Sequence, residues 1–273
     1  MARNKETAVS ERLIETAQQG GVRTITLNRP QALNACTAAM LLQWRERLET
    51  AARDPAVRCV LITGAGRAFC AGQDLGDPLV APIPNAPARD LGPMLTDYYN
   101  PLLRLLRDLP VPTVAAVNGV AAGSGANLAL SCDFVLAGRS TSFIQAFAKI
   151  GLAPDSGGSW LLPRLVGRAR ALQLAMLGDK LPAADAAAMG LIMRCVDDAE
   201  LMPEAYALAN RLAAMPTRAL VETRRAIDAA ALMSHADALD AEAVRQSRLG
   251  YGADYAEGVA AFAAKRAPQF TDR

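Results

Sequence analysis

Neither sign of charge prevails in this sequence: 29 Lys and Arg stand against 27 Asp and Glu over 273 residues, a formal net charge of +2. No long-range field therefore draws the chain to nucleic acid or to a membrane surface. Basic residues are scattered, apart from short groups such as Arg164, Arg168 and Arg170, which can hold a few phosphates. The five cysteines, Cys36, Cys59, Cys70, Cys132 and Cys195, lie far apart, are odd in number and never form a C-x-x-C pair. That argues against a disulfide frame or a zinc site, so no metal is expected, and it fits thiols of a reducing compartment. There is one histidine, His235. It sits in "SHAD", where Ser234 and Asp237 have the spacing of a capping box, and reads as a surface residue of a helix start rather than a general base. The first fifteen residues, "MARNKETAVSERLIE", have no apolar core of signal-peptide type, and no later segment is apolar over a membrane-spanning length. These absences point to a cytoplasmic protein with no nucleic acid or membrane partner.

What the chain does have is 52% hydrophobic residues, enough for one large domain or a domain with a smaller appendage. "VRTITLN" (22–28) alternates apolar and polar residues and stops at "RP", which predicts a strand and a turn. Leu41, Trp44, Leu48 and Ala51 recur at helical spacing between Thr37, a candidate N-cap, and Asp54. "VRCVLITG" (57–64), "PTVAAVNG" (112–119) and "CDFVLAG" (132–138) are short, nearly continuous apolar runs, which suit strands covered on both faces. Strands alternating with helices predict an α/β layer architecture. The segment 76–93 is rich in Pro and Asp without a period and reads as a long surface loop. From Arg168 onward the pattern is helical, interrupted by one late strand near 191–197.

Three motifs carry possible chemistry. "GAGRAFCAGQDL" (64–75) follows a strand, but Phe69 stands where the third glycine of a dinucleotide fingerprint belongs. Its glycines either make a tight turn or bring backbone N–H groups close to a ligand oxygen. "NGVAAGSGANLALSCD" (118–133) places Ser124 between two glycines at a helix start, where N–H groups can meet a developing negative charge. Ser124 is not centred in G-x-S-x-G, so a nucleophile role is disfavoured. In "GLAPDSGG" (151–158), Asp155 has two readings. Pro-Asp before glycines is ordinary turn chemistry. The same carboxylate stands among apolar residues, where its pKa rises toward a value useful for proton transfer.

Taken in order, "TLNRPQALNA", "TGAGRAFCAGQDL", "AVNGVAAGSGANLALSCDF", "GLAPDSGGSWLLPRLVGRARA" and "DYAEGVAAFAAKRAPQF" resemble the crotonase (enoyl-CoA hydratase/isomerase) superfamily over almost the whole chain. With "YNPL" added, the motifs are especially similar to its ring-1,2-epoxyphenylacetyl-CoA isomerase branch. The resemblance implies an α/β crotonase-like (ClpP/crotonase) spiral of ββα units. Residues 1–205 would form the core with the CoA and acyl site, and 206–273 a helical region that assembles homotrimers or dimers of trimers. It implies an oxyanion hole made by the amides of Gln73 and Ser124, an acyl-CoA thioester as substrate, and no separate cofactor. CoA contacts are implied near Ala35, along the backbone at Ala68 to Ala71, and at Phe262 and Lys265 of an adjacent subunit. Helix packing and a solvated terminal charge explain the last two equally well. Tyr98 and Tyr99 are expected near the acyl pocket, either packing a ring or buried in a helix.

The resemblance departs from the hydratase pattern at two positions. The two glutamates that handle protons in hydratases fall on Asn127 and Phe147, which leaves Asp155 as the single acid. One carboxylate suits moving one proton between two carbons, so isomerisation is expected. The alternatives are a Δ3,Δ2-enoyl-CoA isomerase, a hydratase, and a non-catalytic scaffold or RNA-binding member.

Overall fold

The computed structural model of the chain describes residues 12–85 and 87–272. Most of the N-terminal segment inspected for a signal peptide, and Ala86 of the long loop, lie outside those residues. The chain opens with an antiparallel hairpin, β1 (Ile14–Gln19) and β2 (Val22–Leu27), followed by α1 (Ala38–Arg53). Three passes then each lay down a longer strand, a short strand and helical structure. The first is β3 (Cys59–Gly64) and β4 (Ala68–Cys70), then α2 (Gly92–Met94), a π-helical turn (Leu95–Tyr99) and α3 (Asn100–Asp108). The second is β5 (Thr113–Val117), β6 (Val120–Ala122) and α4 (Ser124–Leu130). The third is β7 (Phe134–Gly138), β8 (Ser142–Ile144) and α5 (Gly158–Leu177). After β9 (Leu181–Pro182), α6 (Ala183–Ala188) and β10 (Arg194–Val196) come α7 (Leu201–Ala213), α8 (Thr217–Ala230), α9 (His235–Gly250) and α10 (Ala253–Ala263).

The longer strands and the three-residue β10 gather in a six-stranded sheet, β1-β2-β3-β5-β7-β10, and the other short strands in a four-stranded sheet, β4-β6-β8-β9. This is the α/β spiral of ββα units with a helical C-terminal region that the motifs implied. The continuous apolar runs have a direct cause: the larger sheet is covered on both faces. Val60 and Ile62 of β3 join the core beneath α1 and α3, whereas Cys59 and Leu61 join Leu201, Ala205, Ala209 and Leu212 of α7. The polar alternation of β2 is not a solvated face, because Thr24 is buried and its hydroxyl meets Tyr206 of α7 at 2.8 Å.

Local signals are met where the chain supplies its own partner. Thr37 caps α1 by accepting from Met40 N, and Ser234 caps α9 by accepting from Asp237 N, with His235 exposed beside it. The helical pattern expected from Arg168 starts earlier, at Gly158; α5 is interrupted at Gly167 (φ 76°, ψ 160°). The boundary expected at 205/206 lies inside α7, a helix whose buried face belongs to the sheet layer. Among the described residues, no helix is long and apolar enough to cross a membrane.

Candidate active site

A cavity of about 310 Å³ opens where the three motif loops meet, lined by Ala71 to Gln73, Gly123, Ser124, Phe147 and Asp155 with an apolar wall that includes Met94, Leu95 and Leu152. The long loop contributes Val80 and Leu91, and the π-helical turn contributes Tyr99.

The segment after β4 is held edge-on against residues 33–36. Ala71 N donates to Leu33 O, Cys36 N to Gly72 O (2.7 Å) and Asp74 N to Cys36 O (2.9 Å). In that parallel bridge the neighbours of Gln73 make the pairing bonds, so the Gln73 N–H is directed to the other side. Gly72 (φ +95°) is required there: a Cβ would stand 2.7 Å from Ala122 O. The second loop turns at Gly123 (φ 52°) and places Ser124 first in α4, where its N–H has no partner within the helix. The side chains of Gln73 and Ser124 converge on Tyr99, whose Oη lies 2.9 Å from Gln73 Oε1 and 3.1 Å from Ser124 Oγ.

Asp155 is reached from behind. Its carbonyl accepts from Gly158 N (2.8 Å) and from Asn127 Nδ2 (2.8 Å), and Asn127 Oδ1 accepts from Gln145 Nε2 (2.8 Å). The main chain therefore makes the turn, and Asp155 also lines the cavity. Its Oδ1 is buried and makes no hydrogen bond to a described residue. Burial raises the pKa of this carboxyl, and the adjacent Ser156 partly offsets the rise. Asn127 is fully buried with its amide engaged, and Phe147 forms part of the apolar wall.

The implied CoA positions are dispersed. Ala71 lines the cavity. Ala35 is half-buried and its carbonyl accepts from Arg29. Ala68 is 1% exposed within β4 and its carbonyl accepts from Asn34 Nδ2. Phe262, 87% exposed, lines a separate groove between α8, α9 and α10, and Lys265 follows α10. Neither borders the cavity of its own chain.

The model of the enoyl-CoA hydratase/isomerase family matches residues 17–273. The chain belongs to that family. This enoyl-CoA hydratase/isomerase is 51% identical over 253 residues to the 1,2-epoxyphenylacetyl-CoA isomerase of Escherichia coli (strain K12), covering 93% of this chain and 96% of that protein. It is 32% identical over 255 residues to the trans-2-decenoyl-[acyl-carrier-protein] isomerase of Streptococcus mutans, covering 93% and 95%. Among solved structures, an enoyl-CoA hydratase from Polaromonas sp. JS666 superposes with a TM-score of 0.86 at 33% identity, over 94% of this chain and 99% of the other. The chain is thus an enzyme of a family whose members include hydratases and isomerases.

Two features of the site carry no reliable sequence signal. The Asn127–Gln145 pair behind Asp155 joins residues 18 apart. Cys36 and Cys70 bring their Sγ atoms within 3.5 Å beneath Gln73, although 34 residues separate them. Their hydrogen bond raises the Cys36 pKa and lowers that of Cys70.

Proposed function

We propose that this enzyme isomerises an acyl-CoA thioester through its enolate, taking ring-1,2-epoxyphenylacetyl-CoA to the oxepin thioester in phenylacetate degradation. One observation carries the reading: among the described residues Asp155 is the only carboxylate on the cavity wall, while the hydratase glutamate positions hold a buried amide, Asn127, and an aromatic ring, Phe147. A hydratase of this family uses two carboxylates, one to activate water and one to protonate carbon; among the described residues this wall has one.

The thioester carbonyl sits between the N–H groups of Gln73 and Ser124, which favour the charge that moves onto oxygen. A single donor of this type is worth ~3 kcal/mol of barrier. Asp155, with its pKa raised by burial, takes the proton from the carbon next to the carbonyl and returns it, a contribution of roughly 10²- to 10⁴-fold. With a ring epoxide the same charge stabilisation favours opening of the three-membered ring and expansion to the seven-membered one, with no atom gained or lost. CoA enters as part of the substrate. The adenosine end reaches Phe262 and Lys265 of a neighbouring subunit in a homotrimer or dimer of trimers. Free thiols at all five cysteines suit a cytoplasmic setting.

A second reading, transfer of a double bond in a linear enoyl-CoA, is favoured by the 32% identity to an isomerase named for a decenoyl substrate. The deciding experiment gives wild type and Asp155→Asn the ring-epoxide thioester, with products followed by mass spectrometry and ultraviolet spectrum. Conversion by wild type alone supports the proposal. A wild type that ignores the epoxide but shifts the double bond of a 3-enoyl-CoA supports the second reading. Equal conversion by both proteins removes Asp155 from the chemistry.

A further inference from the structure

The two amides assigned to the thioester oxygen belong to residues 51 positions apart in sequence, on different loops, and nothing in the backbone hydrogen bonding described above ties one to the other. Their side chains do meet, on one atom. Tyr99 is 1% exposed and its Oη donates to Gln73 Oε1 at 2.9 Å. The Gln73 amide is fixed in that orientation because its Nε2 donates to Asp74 O at 3.0 Å. A phenol has one proton to give, so with that proton on Gln73 the contact at 3.1 Å has Ser124 Oγ–H donating to Tyr99 Oη. Burial, then the neighbouring Cys36, holds the Tyr99 pKa well above its ordinary value, so the phenol remains a donor throughout the neutral range.

The route by which Tyr99 reaches this position is a second observation. It is the last residue of the π-helical turn Leu95–Tyr99, set between α2 and α3. The i→i+5 pattern inserts one residue into an otherwise α-helical segment, and such turns are frequent at functional sites. From the next residue α3 resumes ordinary packing, with Leu102 and Leu106 buried in the core. The turn changes the facing of Tyr99 without disturbing the helix that follows.

We infer that Tyr99 is a positioning residue for this reaction, a hydroxyl clamp that sets the spacing of the Gln73 and Ser124 amides. The inference rests on the enolate chemistry proposed above and goes beyond it. It assigns no contact between Tyr99 and the reacting atoms. The mechanical path is covalent on both sides: the clamped Ser124 Oγ is two bonds, and the clamped Gln73 Oε1 four bonds, from the Cα next to the working N–H.

The test replaces the hydroxyl and keeps the ring, Tyr99→Phe, and reads the anion site apart from turnover. Acetoacetyl-CoA serves as the probe: its methylene is acidic, so a positioned pair of donors holds it as the enolate, which has its own ultraviolet absorption. Tyr99→Phe is expected to lower the bound enolate fraction and kcat together, by roughly 5- to 10-fold, the range of one or two net hydrogen bonds. KM for the ring-epoxide thioester stays within about two-fold, because the ring still packs the cavity wall. In a Gln73→Met, Ser124→Ala background, which lacks both partners, Tyr99→Phe is expected to cause no further loss. Thermal unfolding of Tyr99→Phe checks that the site, rather than the fold, has changed.

An enolate band and kcat equal to wild type in Tyr99→Phe overturn the clamp and leave the isomerase reading standing. An undiminished loss in the background without partners also overturns it. A wild type that holds the enolate but leaves the epoxide unconverted removes the substrate assignment and keeps the clamp. A wild type with no enolate band overturns both.

Discussion

A carboxylate placed after proline and before glycines has a main-chain duty as well as a side-chain one, and at Asp155 the two fall on separate atoms. The carbonyl closes the turn onto Gly158 N and takes the Asn127 amide, and Asp155 also lines the cavity. Both readings of "PDSGG" were therefore legible in the residues. What the sequence did not display is how the turn is held, because its carbonyl is bound by Asn127, 28 positions earlier and on another element. Burial raises the folded-state pKa of this carboxyl, so the native state retains its proton to a higher pH than the unfolded chain does. The sign follows: Asp155 costs stability progressively as pH rises from its unfolded-state pKa to the raised folded-state one, the cost is complete above that, and an uncharged isostere recovers it. Asp155→Asn is expected to unfold at the same or a higher temperature than wild type at pH 7, with the difference closing as pH falls through the carboxylate range. Activity moves the other way if Asp155 takes the proton as proposed above, since a proton acceptor must be ionised. The wild-type kcat/KM profile should lose activity on the acid side at a pH above the ordinary carboxylate range, and calorimetry across pH beside that profile checks both signs.

Elements were legible in proportion to their length and to how local their partners are. β3, β5 and β7 announce themselves as apolar runs. β1 does not, because it is an edge strand with mostly exposed residues that owes its shape to pairing with β2. β4, β6 and β8 have three residues each, too few to show a period, yet they carry the loops that build the site. Tyr99 was visible as an aromatic near the pocket; its polar role was not, since a π-helical turn leaves no mark in a hydrophobic pattern. The contact between α4 and β4 gives a prediction at this scale. Gly125, second in α4, lies so close to β4 that a Cβ would stand 2.4 Å from Cys70 O and 2.7 Å from Cys70 Sγ. Backbone cannot yield as a long side chain can. Gly125→Ala should push α4 away from β4, cost about 1–3 kcal/mol in urea unfolding, and lower kcat because Ser124 moves relative to Gln73. Full activity combined with wild-type stability would show that the approach of α4 to β4 does not set the site.

Across the whole molecule, the last three helices are attached by few but specific ties. Arg224 of α8 pairs with Asp133 at 2.9 Å, both side chains being largely shielded, and also donates to Leu109 O. Arg58, just before β3, donates to Ala213 O, Met215 O and Asp272 O. These contacts fix where the helical region stands, yet they leave Ile227, Leu232 and Phe262 from 69% to 87% exposed. Large apolar side chains at that exposure favour a surface covered by another subunit. Phe262 and Lys265 border no part of the active-site cavity in their own chain, so a role in CoA binding requires a neighbouring copy. The assembly and the CoA assignment therefore stand or fall in one pair of measurements. Sedimentation equilibrium should give a mass three or six times the 28.8 kDa chain. In that oligomer, Phe262→Ala combined with Lys265→Ala should raise KM for the thioester roughly ten-fold, as expected for one stacking contact with one phosphate contact, while kcat stays near wild type. If the variant remains assembled with KM unchanged, the CoA role of these two residues is excluded and Phe262 is a packing residue of the interface. A monomeric wild type that still turns over its substrate would exclude a contribution from a neighbouring subunit altogether.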